Sequence, residues 1–259
     1  MPETVTRNLP VLALRGVTAF PGQTVSFDVE REISIYALDN AMESDRRIFA
    51  ITQKELSTSE PGERDLYAVG TVCHILQIVK TSDTTVRVVV EGESRARLLR
   101  LWQTQPFLQG QAELLPEQPA RSTARTEALL RRTYVLFDDY RQLASGLSDD
   151  FTAAVLDCRD AGELADLIAQ NITLRHQDRQ RVLEELHPEK RLRLVNDILT
   201  HEVDVLSLES EMEQKVRRRV AQVQRDMILR EQVKVLQHEL GEDGDEELEA
   251  YAAKIDALR

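Results

Sequence analysis

Two pairs of adjacent carboxylates, Asp138-Asp139 and Asp149-Asp150, are the first places to look for acid and base chemistry. Both lie in helical patterns. The first pair belongs on a helix surface and the second near a helix start, where anions stabilise the helix dipole, so both read as structural. A zinc hydrolase needs two histidines on one helical face, but His201-Glu202 is not followed by a second histidine four residues after the first. Cys73 and His74 are neighbours in a strand pattern and should point to opposite faces. A nucleotide site needs a glycine loop running into Lys and then Ser or Thr. The ten glycines are scattered, and none lies in such a loop. No serine sits in GxSxG or SxxK, so the sequence shows no machinery for serine hydrolysis. Arg217, Arg218 and Arg219 form the one notable basic run. Successive helical residues lie about 100° apart, so the outer two diverge by roughly 200° and cannot share a narrow stripe. With Glu209, Glu211 and Glu213 close by, the run reads as a solvated face or a source of salt bridges between subunits.

Composition agrees with this lack of catalytic patterns. The 259 residues are 42% hydrophobic and 30% charged, enough apolar material for one large or two modest cores, and two domains are expected. The net charge of -12 argues against a protein that grips phosphate backbones, which needs a surplus of Lys and Arg. By segment the charge is about -3 over 1–116, -4 over 117–240 and -5 over 241–259, so acidity is densest at the carboxyl end. The two cysteines, Cys73 and Cys158, lie in largely apolar runs and read as buried free thiols in a reducing compartment. No apolar run approaches the roughly 18 residues of a membrane span. The start, MPETVTRNLP, lacks a basic region leading into an apolar one, so a cytoplasmic location is expected.

The elements read as strands first and helices later. Val25, Phe27 and Val29 alternate with Ser26, Asp28 and Glu30, as in a strand with one buried face. Residues 9–14 and 67–79 are apolar on both faces and suit central strands. Val86, Val88 and Val90 continue an antiparallel partner after the turn TSDTT. Residues 33–42 carry Ile33, Tyr36, Ala37 and Ala41 at helical spacing, predicting one helix across the sheet. The turn-rich stretch 53–65 predicts an exposed loop. Pro106, Pro116 and Pro119 then punctuate the chain, and the pattern turns helical, placing a boundary near Glu117.

Helices are predicted at 123–144, 149–157, 162–171 and 176–186, joined by links short enough for a bundle. Asp160 and Glu163 have the spacing of a capping box, and His187 stands as the cap before Pro188 at the first position of the next helix. No proline or glycine then intervenes before Gly241. One helix over 188–240 could therefore extend on the order of 80 Å. It carries one stripe of Val216, Val220, Val223 and Met227 and a displaced second stripe of Leu229, Val233, Leu236 and Leu240. Gly241 and Gly244 are expected to end it in an acidic link, after which 246–258 begins another helical pattern.

Several runs, in order, resemble the amino-terminal region of bacterial Lon-type ATP-dependent proteases. In the β half these are LPVLALRG (9–16), LYAVGTV (66–72), VEGESRARL (90–98) and PFLQGQAELLPE (106–117). In the helical half they are LADLIAQNITL (164–174) and RDMILREQVKVLQHELGE (225–242). The last run resembles the segment that leads toward the family's ATPase module, which distinguishes the complete protease from stand-alone proteins with a Lon-like binding domain. Around 14–22 the chain departs from the common pattern at Ala19, Phe20 and Gly22, and it uses arginine well above lysine. The resemblance implies an α+β chain: a PUA-like, mostly antiparallel β domain over 1–116, a helical bundle over 117–187 and a long projecting helix over 188–240. It also implies a hexameric parent with AAA+ ATPase and Ser-Lys protease modules that use ATP and magnesium; no motif for either module, and no cofactor site, is visible in this piece.

The implied role is capture of unfolded or degron-bearing polypeptides and, through the long helix, a part in assembly or gating with other subunits. Capture needs exposed apolar residues near a sheet edge or hairpin tip. Phe20 and Pro21 in the first loop, with Ile78 and Val79 near the hairpin end, are the expected substrate contacts. The alternative for Ile78 and Val79 is that they complete the core. Two rival functions are an RNA-binding PUA-like module, against which the acidity tells, and a purely structural assembly domain.

Overall fold

The computed structural model describes residues 5–82, 84–118 and 123–256, with side chains described through Gln232 and at Val235. Pro119 and the side chains of Val233, Leu236 and Leu240 lie outside the described set.

Six strands build the amino-terminal half: β1 (Thr6–Leu14), β2 (Thr24–Val29), β3 (Arg47–Thr52), β4 (Val69–Lys80), β5 (Val86–Gln103) and β6 (Gln109–Leu114). They run β2-β5-β4-β3-β1-β6, and β5 also pairs with β6, which closes five of the strands into a ring. The length of β5 makes closure possible: Val86–Glu91 pairs with β2 while Ala96–Gln103 pairs with β6. Pairing is antiparallel throughout except between β1 and β3. The two are joined through β2 and α1 (Glu32–Glu43), which packs on both of them.

The alternation predicted for β2 holds: Phe27 and Val29 are buried, Val25 is half-buried, and Thr24, Ser26 and Asp28 are exposed. The apolar run in β1 has a different cause, because both of its faces are covered. Leu12 and Leu14 join Leu38, Ile48 and Ile75 in one core cluster, while Leu9, Val11 and Ala13 join Phe49, Ile51 and Val72 in another. Each such large side chain stabilises the fold by about 1.5–3 kcal/mol relative to exposure.

The helical half comprises α2 (Ala124–Leu143), α3 (Asp149–Asp157), α4 (Ala161–Asn171), α5 (His176–Glu184) and α6 (Pro188–Asp256). Side chains cap three of these helices. Thr123 accepts from Thr126 N, Ser148 from Phe151 N, and Asp160 from the backbone of both Gly162 and Glu163. The His187 carbonyl accepts from Arg191 N in the first turn of α6.

At Gly241 and Gly244 the structure differs from expectation, since α6 continues through both to Asp256. An interior glycine costs a helix only about 1 kcal/mol. The surrounding Glu, Leu and Ala are good helix formers, so two glycines without a proline do not stop propagation.

The chain divides into two compact units, Met1–Val203 and Asp204–Arg259. The strand ring and the helical bundle share the first, so the boundary read at Glu117 marks a change of element type inside one unit. In that unit α6 buries Arg191, Leu192, Val195, Asn196 and Leu199. In the second unit the stripe residues Val216, Val220, Val223 and Met227 are exposed, as is Leu229.

Candidate functional site

A buried ion cluster attaches the strand ring to the bundle. Asp166 on α4 gives one carboxylate oxygen to each of two arginines: Arg95 Nη2 donates to Oδ1 and Arg191 Nη1 to Oδ2, both at 2.7 Å. Arg95 Nε also donates to the Leu183 carbonyl and Arg191 Nε to the Glu185 carbonyl, each at 2.9 Å. Arg191 is wholly buried, and the side chains of Arg95 and Asp166 are 3% and 4% exposed. Glu117 completes the group from outside, its side chain 52% exposed and its Oε1 3.0 Å from both Nη1 and Nη2 of Arg191. Burial pushes the Asp166 carboxyl above its ordinary value, and the two guanidiniums act against that rise. Gln180 Nε2 adds a neutral tie, donating to the Val69 carbonyl at 2.9 Å.

This cluster was not read from the sequence, although a trace of it was available. Arg95 lies in the VEGESRARL run, and Asp166 is a lone charge beside Ala165, Ile168 and Ala169 on the buried face of α4. Such a charge is retained in a core only when paired.

The four expected substrate contacts separate. Phe20 is 0% exposed and belongs to the core, which corrects its assignment to an exposed loop. Its segment is drawn against β5, where Gly92 N donates to the Gln23 carbonyl and Gly22 N to the Gly92 carbonyl, turning the ring inward. Gly92 must be glycine for this approach, because a Cβ there would stand 2.1 Å from the Phe20 carbonyl oxygen. Pro21 is half-buried and lines a groove with Val5, Leu114, Leu115 and Pro116. Ile78 packs half-buried against the core, as the alternative reading had it, whereas Val79 is 44% exposed. The structure therefore places Val79 on the surface and Pro21 in a separate groove.

Three exposed apolar residues that the sequence reading missed share one cause. Where β4 meets β5, the register passes from Ile75↔Val90 to Gln77↔Val89, leaving Leu76 unpaired. Where β5 meets β6, Leu99 falls between Leu98↔Ala112 and Arg100↔Gln111, and Trp102 between Leu101↔Gly110 and Gln103↔Gln109. A bulge re-aims its extra residue, and all three face solvent at 47%, 44% and 48%. Leu76 lies on the same hairpin as Val79 and half-buried Val89, and Leu99 and Trp102 lie farther along β5, ten or more residues beyond Val89.

Cys73 is buried, and burial pushes its thiol far above the ordinary value; Cys158 is half-buried. Among the described residues no group of three or more His, Cys, Asp or Glu could hold a metal ion. Among them, too, no helix is long and apolar enough to cross a membrane.

A mostly antiparallel strand ring, a helical bundle and a long carboxyl-terminal helix make this an α+β chain. The fold is similar to the N-terminal domain of Mycobacterium avium complex Lon protease, with a TM-score of 0.61, 21% identity, and coverage of 75% of this chain and 98% of that one. It is also similar to the Lon N-terminal domain protein from Xanthomonas campestris, with a TM-score of 0.52, 17% identity, and coverage of 72% and 95%. Residues 8–201 match the family described as the ATP-dependent protease La (LON) substrate-binding domain, and the chain belongs to that family. It is 35% identical over 261 residues to Lon protease of Clostridioides difficile (strain 630), covering 98% of this chain and 33% of that protein. To Lon protease 1 of Bacillus subtilis (strain 168) it is 36% identical over 242 residues, covering 93% and 31%. The chain thus spans about a third of the length of these relatives.

Proposed function

We propose that this chain captures unfolded or degron-bearing polypeptides and positions them for an ATP-dependent Lon protease in the cytoplasm. The observation that carries this reading is the set of large apolar side chains turned outward by bulges: Leu76 on the hairpin, and Leu99 and Trp102 on the β5–β6 pairing. A core gains nothing from such residues, whereas an extended client gains two apolar anchors separated by about ten residues of strand. Family membership supplies the context of proteolysis. The parent is read as a homo-hexamer whose ATPase and Ser-Lys protease modules use ATP and magnesium, with the exposed apolar stripe of α6 contributing to assembly or gating.

The test combines Leu76→Asp with Trp102→Asp and measures binding of a permanently unfolded, labelled test protein by fluorescence anisotropy. Affinity should fall by about tenfold or more while circular dichroism stays unchanged. Unchanged affinity in a folded double variant would falsify the proposed surface.

A further inference from the structure

A second binding feature lies where Glu117 covers the buried arginines. Arg95 and Arg191 carry two positive charges, which Asp166 and Glu117 balance. Three of these groups are buried, and Glu117 reaches them from the surface with a single oxygen. Its Oε1 takes both terminal nitrogens of Arg191, while Arg95 Nη1 stands 3.5 Å away and is a buried donor with no hydrogen-bond partner. Arg95 and Glu117 line the groove whose apolar lining is Val5, Pro21, Leu114, Leu115 and Pro116.

We infer that this groove is a binding site for the carboxyl terminus of a polypeptide ending in an apolar residue, with Glu117 holding the place of the incoming carboxylate. A free α-carboxylate has two oxygens, one for Arg191 and one for the unmatched Nη1 of Arg95, whereas Glu117 presents only Oε1 to both. Charge also fits: Glu93, which lines the groove as well, is held by Arg47 at 2.7 Å, so with Glu117 displaced the remaining groups carry one net positive charge, which a single carboxylate neutralises. The last side chain then lies against Pro21 and Leu115, replacing water on an apolar wall. An acidic side chain inside a continuous peptide is a poorer match. Its short stem would have to reach a 3%-exposed guanidinium while the chain continues in both directions, whereas a terminus enters end-on. This inference rests on the reading that the chain captures polypeptides, and it adds the chemical end of the client that is recognised.

The experiment uses the full 259-residue chain and fluorescein-labelled decapeptides ending in Val-Leu, one with a free carboxyl and one amidated. A third peptide, amidated, carries an internal Asp. The free acid should bind about tenfold or more tighter than either amide. Glu117→Gln, which removes the internal competitor, should tighten the free acid several-fold and leave the amides unchanged. Equal affinity for acid and amide on the unaltered chain overturns the site, whatever the variant's stability. Equal binding of the internal-Asp peptide and the free acid overturns the assignment to a chain terminus. The unfolded test protein serves as a separate control. If it binds through Leu76 and Trp102 while acid and amide do not differ, only the carboxylate site falls. An acid preference without binding of the unfolded protein leaves the site standing and removes the bulge surface.

Discussion

Arg95 on β5 and Asp166 on α4 meet at 2.7 Å although 71 residues separate them in sequence, and both are buried. Their pair, with Arg191, holds the strand ring and the bundle in one unit. Removing the shared anion leaves two buried guanidiniums with only the exposed Glu117 nearby. Asp166→Ala should therefore cost about 3–5 kcal/mol, read as a shift in the urea unfolding midpoint of the 259-residue chain. A loss below about 1 kcal/mol would show that the cluster does not contribute to stability.

Phe20 and Val79 should respond in opposite ways. Phe20 is fully enclosed, so Phe20→Ala should cost about 3–5 kcal/mol, and Phe20→Asp should abolish the cooperative transition by burying a charge. Val79→Asp changes a surface position and should move stability by no more than about 0.5 kcal/mol while weakening capture of an unfolded protein. Circular dichroism melts of the two aspartate variants distinguish a core residue from a contact residue.

The two thiols should differ in reactivity. Burial removes Cys73 from solvent and disfavours its thiolate, whereas Cys158 is half-buried and less strongly shifted. A disulfide reagent that releases a coloured thiolate should titrate Cys158 in the native protein. Cys73 should react slower by about two orders of magnitude or more, because its exposure requires opening of the core. Equal rates would contradict the burial of Cys73.

Asp28 pairs with Arg87 across β2 and β5, accepting from Nε at 2.7 Å and Nη2 at 2.8 Å. The hydrogen bond to Arg87 holds this carboxyl below its ordinary value of 3.8. The unfolded chain therefore binds more protons between the two values, and stability rises with pH across that window. The pair contributes fully above about 3.8 and is lost as pH falls through the folded-state value. Asp28→Asn should lower the melting midpoint near neutral pH, with the difference from the unaltered chain shrinking as pH falls below about 3.8. A difference that stays constant with pH would exclude the pair as its source.

Much of the fold was legible because it depends on periodicity. The alternation in β2, the helical spacing in α1 and the side-chain cap at Asp160 are local patterns, and the structure reproduces them. The course of α6 past Gly241 was less legible, since a glycine is a modest cost that neighbouring residues can offset.

Sequence by itself determined the order of elements, the family and the lack of recognisable catalytic motifs, since each follows from residue types at short spacing. Only tertiary structure decided which apolar residues are free to bind. Phe20, in a loop pattern, is buried because the 20–23 segment folds onto Gly92, and Leu76, Leu99 and Trp102, in strand patterns, are exposed because register shifts leave them unpaired. Register and long-range closure depend on partners distant in the chain. The same holds for the meeting of Arg95, Asp166, Arg191 and Glu117, four charges that become one site only when the ring and the bundle pack together.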